Sequence, residues 1–360
     1  LPSAVLLVDF KVDNVYLRFL FYGYVLYLAF VIYRGFTLEY YGVRDLLIDG
    51  WFGIFIYFSP IVCLFPKKVG FLKKLQDSVK LFSVLFLFLV LAFAPFLIVR
   101  GGQQGMVLTE VLPRTLGLTA GFLLLTYPYH SFKVNSLSFG TLLVILLMAT
   151  FQARRGLMMY CILIFFFAGL LYLTKGQNRA FLIVVLLMFF AAALLVGAEV
   201  LNKSSLFSTL MERGLEDTRS TVETCYFEDM DTRDWIIGKG LMGQYFCPGI
   251  DWEGSTVYRR VIETDYLQII LKGGIASLAL LFLIMIPASF LGIFYSKNLL
   301  VKAFGIWIFI GLVNMYPSTV NTFTLNYLIM WIGVGICFTK EIRMMSDESL
   351  MRYLSIIKQK

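Results

Sequence analysis

Histidine is almost missing from this chain: His130 is the only one in 360 residues. One imidazole excludes a histidine-rich metal centre, and because the topology below puts it at the inner end of a helix, it also excludes a Ser-His triad on the outer face. Charge is scarce as well. Asp, Glu, Lys and Arg make up 15% of the residues, where soluble domains carry about 25%, so an ordinary soluble domain is excluded. Five cysteines are too few for a disulfide framework. Cys63, Cys161 and Cys337 lie in apolar runs and read as small buried hydrophobes. Cys225 and Cys247 share a polar segment, where an oxidising compartment permits a bridge that spacing alone does not establish. Neither an internal repeat nor a Ser-, Pro- or Gln-rich linker interrupts the sequence. The run Gly238-Lys239-Gly240 lacks the spacing and the following Ser or Thr of a nucleotide loop, which argues against nucleotide hydrolysis. The acidic stretch from Glu228 to Asp234 lacks the glycine and regular spacing of a calcium loop, so no metal or other cofactor is expected.

Apolar residues fill the space. They account for 59% of the chain, and the mean hydropathy is +0.80. Uncharged runs of spanning length point to an all-α polytopic membrane protein with about ten transmembrane helices. The runs are Phe19 to Tyr33, Gly50 to Pro66, Leu81 to Val99, Thr115 to Phe132, Val134 to Ala153, Gly156 to Thr174, Ala180 to Ala198 and Gly273 to Ser296. A double-length run from Ala303 to Thr339 is broken at Pro317-Ser318-Thr319 and reads as two helices with a tight turn. The first apolar run is expected to direct insertion without a cleaved signal peptide.

Basic residues set the expected orientation. With the N-terminus in the cytoplasm, 17 Lys and Arg fall in inside loops, tails and helix ends, among them Lys67, Lys68, Lys73, Lys74 and Lys80, against six in short outside loops. The chain then divides into helices 1–7 (1–198), one large external loop (199–272), helices 8–10 (273–339) and a cytoplasmic tail (340–360). The net charge of +8 is accounted for by inside lysines facing anionic lipid and calls for no nucleic acid. Trp235, Tyr245, Phe246, Trp252 and Tyr258 make an ordered loop the expectation, since disordered segments are poor in aromatics.

Candidate chemistry concentrates where that loop enters the membrane, at Tyr258-Arg259-Arg260-Val261-Ile262-Glu263-Thr264-Asp265-Tyr266-Leu267. Ionisable groups at a bilayer boundary are costly to desolvate and commonly line a polar cavity. If this segment is helical, Arg259, Glu263 and Tyr266 share a face, either as a surface salt bridge or as an acid placed to act as a base. Asp265, on another face, reads as a capping or solvated group. Arg213 and Arg219 precede the acidic stretch, and Arg154 and Arg155 lie between the fifth and sixth helices on the outside, against the positive-inside bias. Guanidinium groups bind phosphate oxygens bidentately, so these arginines suit a lipid diphosphate, or else pair with carboxylates or lipid headgroups.

The order Arg219, then Ile236-Ile237-Gly238-Lys239-Gly240, then Glu263-Thr264-Asp265-Tyr266-Leu267 with Gly273, resembles the O-antigen polymerase and O-antigen ligase superfamily of bacterial membrane glycosyltransferases. In that family a large periplasmic loop carries an arginine, a Gly-x-Gly turn and a closing His-Asn-x-Tyr-Leu segment. The resemblance implies a multi-helix, GT-C type fold in the bacterial inner membrane with its active site facing the periplasm. It implies a metal-independent, inverting transfer between undecaprenyl-diphosphate-linked glycans as donor and acceptor, with a chain-length regulator protein as a further candidate partner. Glu263 and Arg219 would be the catalytic pair, with Arg154, Arg155, Arg213, Arg259, Arg260 and Tyr266 holding diphosphate or glycan. Glu263 stands in place of the ligase-type histidine and Thr264 in place of the asparagine, which favours a polymerase over a ligase or protein O-oligosaccharyltransferase. A transporter or flippase is the third reading, disfavoured because no inverted repeat is present.

Overall fold

The computed structural model describes residues 12–36, 40–49, 53–65, 67–93, 107–151, 154–175, 218–248 and 257–356. The fold is that of a helical membrane protein. Five of the described helices are long and apolar enough to cross a bilayer, and three shorter apolar helices accompany them. The expected run Ala180 to Ala198, with Arg213, lies outside the described residues.

The chain forms two compact units, one of residues 1–79 with 219–360 and the other of residues 80–218. In the first, α1 (Val15–Gly35) is N-capped by Asn14, whose side chain accepts from Leu17 N. Next come α2 (Tyr40–Ile48) and the short α3 (Phe55–Phe58), which tightens into a 3-10 turn over Ser59–Leu64. Pro60 at the start of that turn lacks a backbone donor, and within the run expected as one span from Gly50 to Pro66 the described residues 53–65 form this short helix and 3-10 turn in place of one regular helix. Helix α4 (Val69–Ala92) starts well before Leu81, so Lys73, Lys74 and Lys80 are helical and not in a loop.

In the second unit, the run expected as a helix from Thr115 to Phe132 is irregular. A π turn at Val107–Val111 precedes it, and it opens in a second π turn, Pro113–Gly117, followed by α5 (Ala120–Leu125) and a 3-10 turn at Tyr127–Tyr129. The wide turn closes with Leu118 N donating to Pro113 O at 2.8 Å. Helices α6 (Phe132–Phe151) and α7 (Arg155–Lys175) pack as a hairpin with α5 against both.

Back in the first unit, α8 (Thr218–Asp229) and α9 (Thr232–Ile237) fall in the segment 199–272 expected as the large loop. A two-residue ribbon follows, β1 (Tyr245–Phe246) antiparallel to β2 (Tyr258–Arg259), with Tyr245 opposite Arg259. Helix α10 (Asp265–Phe294) begins eight residues before the expected Gly273 and is the hub, packing against α1, α9, α11 (Leu299–Asn314) and α12 (Leu325–Phe338). The break between α11 and α12 contains Pro317-Ser318-Thr319, as the sequence indicates, but it runs over residues 315–324 and is not the tight turn expected. Where α10 meets α11, a Cβ on Gly292 would lie 2.8 Å from the Cα of Gly305, so only glycines admit this backbone approach. Two short helices, α13 (Lys340–Met344) and α14 (Asp347–Ile356), complete the described chain.

Candidate functional site

The described part of the segment expected as the large loop, residues 218–248 and 257–264, is a folded cap. Cys225 and Cys247 are bridged, with Cα atoms 5.3 Å apart. Around the bridge, Val222, Tyr226, Met230, Tyr245 and Ile262 form a core with Ile270 and Leu271 of α10. Tyr226 takes edge-on contacts from both Trp235 and Tyr245, with ring centroids 5.8 and 5.7 Å away. The Tyr245 hydroxyl donates to Val261 O at 2.9 Å. These aromatics are why the described part of the loop is ordered; Trp252 lies outside the described residues.

Two glycine motifs that are far apart in sequence meet beneath this cap. Helix α10 kinks at Gly274, whose φ is +67°. Lys239 N donates to Leu271 O at 2.7 Å and Gly240 N to Lys272 O at 2.9 Å, while the Tyr27 hydroxyl of α1 donates to Gly273 O at 2.7 Å. The Gly238-Lys239-Gly240 turn is thus a clamp on the kink. Side chains have no room here: a Cβ on Gly238 would sit 2.4 Å from the Lys272 carbonyl, and one on Gly274 would sit 2.1 Å from Ile236 O. Helix α1 completes the joint, with Leu241 N donating to Val31 O at 3.1 Å and Arg34 Nη1 donating to Ile237 O at 2.9 Å.

Lys239 accounts for the acidic stretch. Its Nζ pairs with Asp229 Oδ2 and lies 3.4 Å from Asp234 Oδ2. Burial works against its charge, but Asp229 and then Asp234 outweigh that and raise its pKa above the ordinary 10.5. Asp231 is spent as the N-cap of α9, accepting from Asp234 N at 2.7 Å.

The Glu263 segment is not helical as far as Thr264, so Arg259, Glu263 and Tyr266 do not share a helix face. Arg259 is half-buried on β2, Arg260 and Glu263 are exposed, and Tyr266 turns inward to donate to Leu312 O. Thr264 donates its hydroxyl to Glu223 Oε1 at 2.7 Å. Arg219 occupies the position one turn before Glu223 on α8. Gln268 braces the same bend, accepting from Ile262 N at 2.9 Å and donating to Arg260 O at 3.2 Å.

Arg154 and Arg155 belong to the second unit, apart from the Glu263 segment in the division of the chain. Arg154 Nη1 pairs with Glu110 Oε2 at 2.8 Å, and Arg114 reaches the other oxygen of that carboxylate at 3.2 Å. The two guanidiniums share this one carboxylate. Arg155 is exposed at the first position of α7, and His130 is engaged by the Thr126 hydroxyl at 2.9 Å.

Sequence reasoning missed a polar stripe on α10. Asp265, Gln268 and Lys272, spaced i, i+3 and i+7 and therefore on one face, are all buried, at 0%, 5% and 6% exposure. Asp265 is not solvated: its Oδ2 accepts from Val320 N at 3.0 Å and Asn321 N at 2.7 Å. Lys272 Nζ donates to Gly243 O at 2.7 Å. A cavity of about 30 Å³, room for about one water, lies among Gln268, Lys272, Asn321, Tyr24, Tyr57 and Tyr327. The available signal was the helical spacing of three polar residues at the head of an apolar run.

No known family model, characterised protein or solved structure matches the chain.

Proposed function

We propose that the chain is a bacterial inner-membrane glycan polymerase that joins undecaprenyl-diphosphate-linked oligosaccharides on the periplasmic face. The observation that carries the reading is the Thr264–Glu223 hydrogen bond, which ties the helix bearing Arg219 to the bend bearing Glu263 across 41 residues of sequence. An exposed carboxylate beside arginines is the constellation this chemistry needs. The acceptor hydroxyl attacks the anomeric carbon of the donor, the bond from that carbon to the diphosphate oxygen breaks, and undecaprenyl diphosphate leaves. Glu263 takes the hydroxyl proton. Arg219, with Arg213, Arg259 and Arg260, meets the charge growing on the diphosphate. Tyr266, with its hydroxyl committed to Leu312 O, acts as a brace for the bend. Glu263 in the place of a histidine supports a polymerase over a ligase.

The test is polymerisation of lipid-linked repeat units by purified protein, read as a gel ladder. Arg219→Ala and Glu263→Gln each abolish the ladder while expression and insertion hold, and Arg219→Lys restores little, since an ammonium cannot make the bidentate contact. Activity also survives EDTA. Near-wild-type ladders from Glu263→Gln would remove that residue from the mechanism.

A further inference from the structure

The first unit carries a second cavity, a groove of about 830 Å³ between the 3-10 turn, the start of α4 and α12. Sites for small molecules occupy roughly 300–1,000 Å³. The walls are hydrocarbon: Phe65, Phe71 and Leu75 on one side, and Leu325, Leu328 and Ile332 on the other. The three residues of α12 recur at i, i+3 and i+7, so they form one face. The rim is cationic, with Lys68, Lys73 and Lys74 among the lining residues and Asp77 the carboxylate beside them. Three ammonium groups against one carboxylate leave the groove with a surplus of two positive charges. Lys68 and Lys74 are exposed and Lys73 half-buried, so all three can reach a ligand at the mouth.

A free anion has no use for a wall of Phe and Leu, and an apolar ligand has none for three lysines. The groove matches an amphiphile with an anionic head and hydrocarbon tails. The stretch of α4 from Gly70 onward is apolar enough to cross a bilayer, which puts Lys68 just before it and Lys73 and Lys74 in its first turns, at headgroup depth. Lysines placed there attract anionic lipid. We propose that the groove is a binding site for an anionic glycerophospholipid, its phosphate held by Lys68, Lys73 and Lys74 and its chains laid along Leu325, Leu328 and Ile332. The site is independent of the glycan chemistry proposed above.

The test is native mass spectrometry of the full chain in mild detergent, titrated separately with dioleoylphosphatidylglycerol and dioleoylphosphatidylcholine. The anionic lipid is retained and the zwitterionic one is at least about tenfold weaker, the scale expected where several surface lysines meet one anionic head. The triple variant Lys68→Gln/Lys73→Gln/Lys74→Gln loses that preference, whereas Lys297→Gln/Lys302→Gln keeps it. Leu328→Trp, which fills the floor without touching charge, lowers retention of the anionic lipid as well. Melting temperatures in phosphatidylcholine nanodiscs confirm that each variant is folded. Equal retention of the two lipids, or an unchanged triple variant, overturns the proposal. So does displacement by millimolar glycerol 3-phosphate, which would make it a soluble-phosphate site, or stronger retention of undecaprenyl phosphate, which would make it a substrate site.

Discussion

The carboxylate of Asp265 accepts the backbone N–H of Asn321 at 2.7 Å and that of Val320 at 3.0 Å, so the first residue of α10 organises the turn between α11 and α12. Its own N–H donates to Met315 O at 2.9 Å, closing the contact from both sides. Asp265→Ala strands one buried donor, Val320 N–H, at a cost of about 1–3 kcal/mol, and one half-buried donor, Asn321 N–H, at less. The expected result is a large fall in melting temperature in detergent, with Asp265→Asn intermediate because its amide oxygen still accepts. An alanine variant melting with the wild type would show the turn to be self-sufficient.

Gly274→Ala and Gly238→Ala should both open the clamp. Each forces a side chain into a left-handed conformation, which alone costs about 1–3 kcal/mol, and drives a Cβ into backbone. Gly140→Ala is the control, since a Cβ there meets nothing within 4 Å and the position lies in α6. It should be neutral or stabilising, by up to about 1 kcal/mol. Thermal melting of the three variants decides the matter. A Gly274→Ala protein as stable as Gly140→Ala would mean the kink is not required.

Removing the bridge with Cys225→Ala/Cys247→Ala opens a loop of 22 residues, worth roughly 3 kcal/mol in the chain-entropy account. The cap should then become protease-sensitive while the apolar helices stay inserted. Non-reducing mass spectrometry of protein from its native membrane should find both thiols blocked; free thiols would contradict the pairing.

Alkaline pH should loosen the cap. Lys239 has its pKa raised above 10.5, net of burial, by Asp229 and Asp234. Tyr226 is pushed above its ordinary 10 by burial, reinforced by Asp234 and Tyr245. A group whose folded pKa is raised stabilises the fold fully below its unfolded value and ceases to do so as pH climbs through the folded one. Melting temperature should therefore stay level from about pH 7 to 9 as far as these two groups are concerned, then fall above about pH 10. Lys239→Gln should melt a few degrees lower at pH 8 and show a shallower alkaline fall. An identical alkaline slope in Lys239→Gln would assign the fall to other groups.

Much of this architecture is legible in the sequence, because uncharged length and aromatic content are what decide helices and ordered loops. Phe19 to Tyr33 and Gly156 to Thr174 lie within helices, as does the run from Val134 as far as Phe151, and Pro317 marks the break between two more. Charge was the misleading signal. Lys73, Lys74 and Lys80 look like loop residues yet lie in the first half of α4, and Asp265 and Lys272 look like loop residues yet are buried in α10 because backbone groups of other segments satisfy them. Partners of that kind are set by tertiary structure and leave no mark in local composition. The same holds for Arg154, whose partner Glu110 lies 44 positions away.

The clamp also constrains how the protein is made. Arg34 must wait for Ile237 O, 203 residues later, and Tyr27 for Gly273 O, 246 residues later. At synthesis rates of about 5–20 residues per second, the first helix spends about 10–40 s in the translocon or bilayer before the partner of Arg34 has been made. During that interval Arg34 has the ring of Phe30 on its own helix, 5.5 Å from its guanidinium, besides water and lipid headgroups, so α1 must hold its place without its later partners. The joint between α1, the Gly238-Lys239-Gly240 turn and α10 is therefore a late assembly step, and a nascent chain stalled short of Gly273 would carry an inserted α1 not yet docked on that joint.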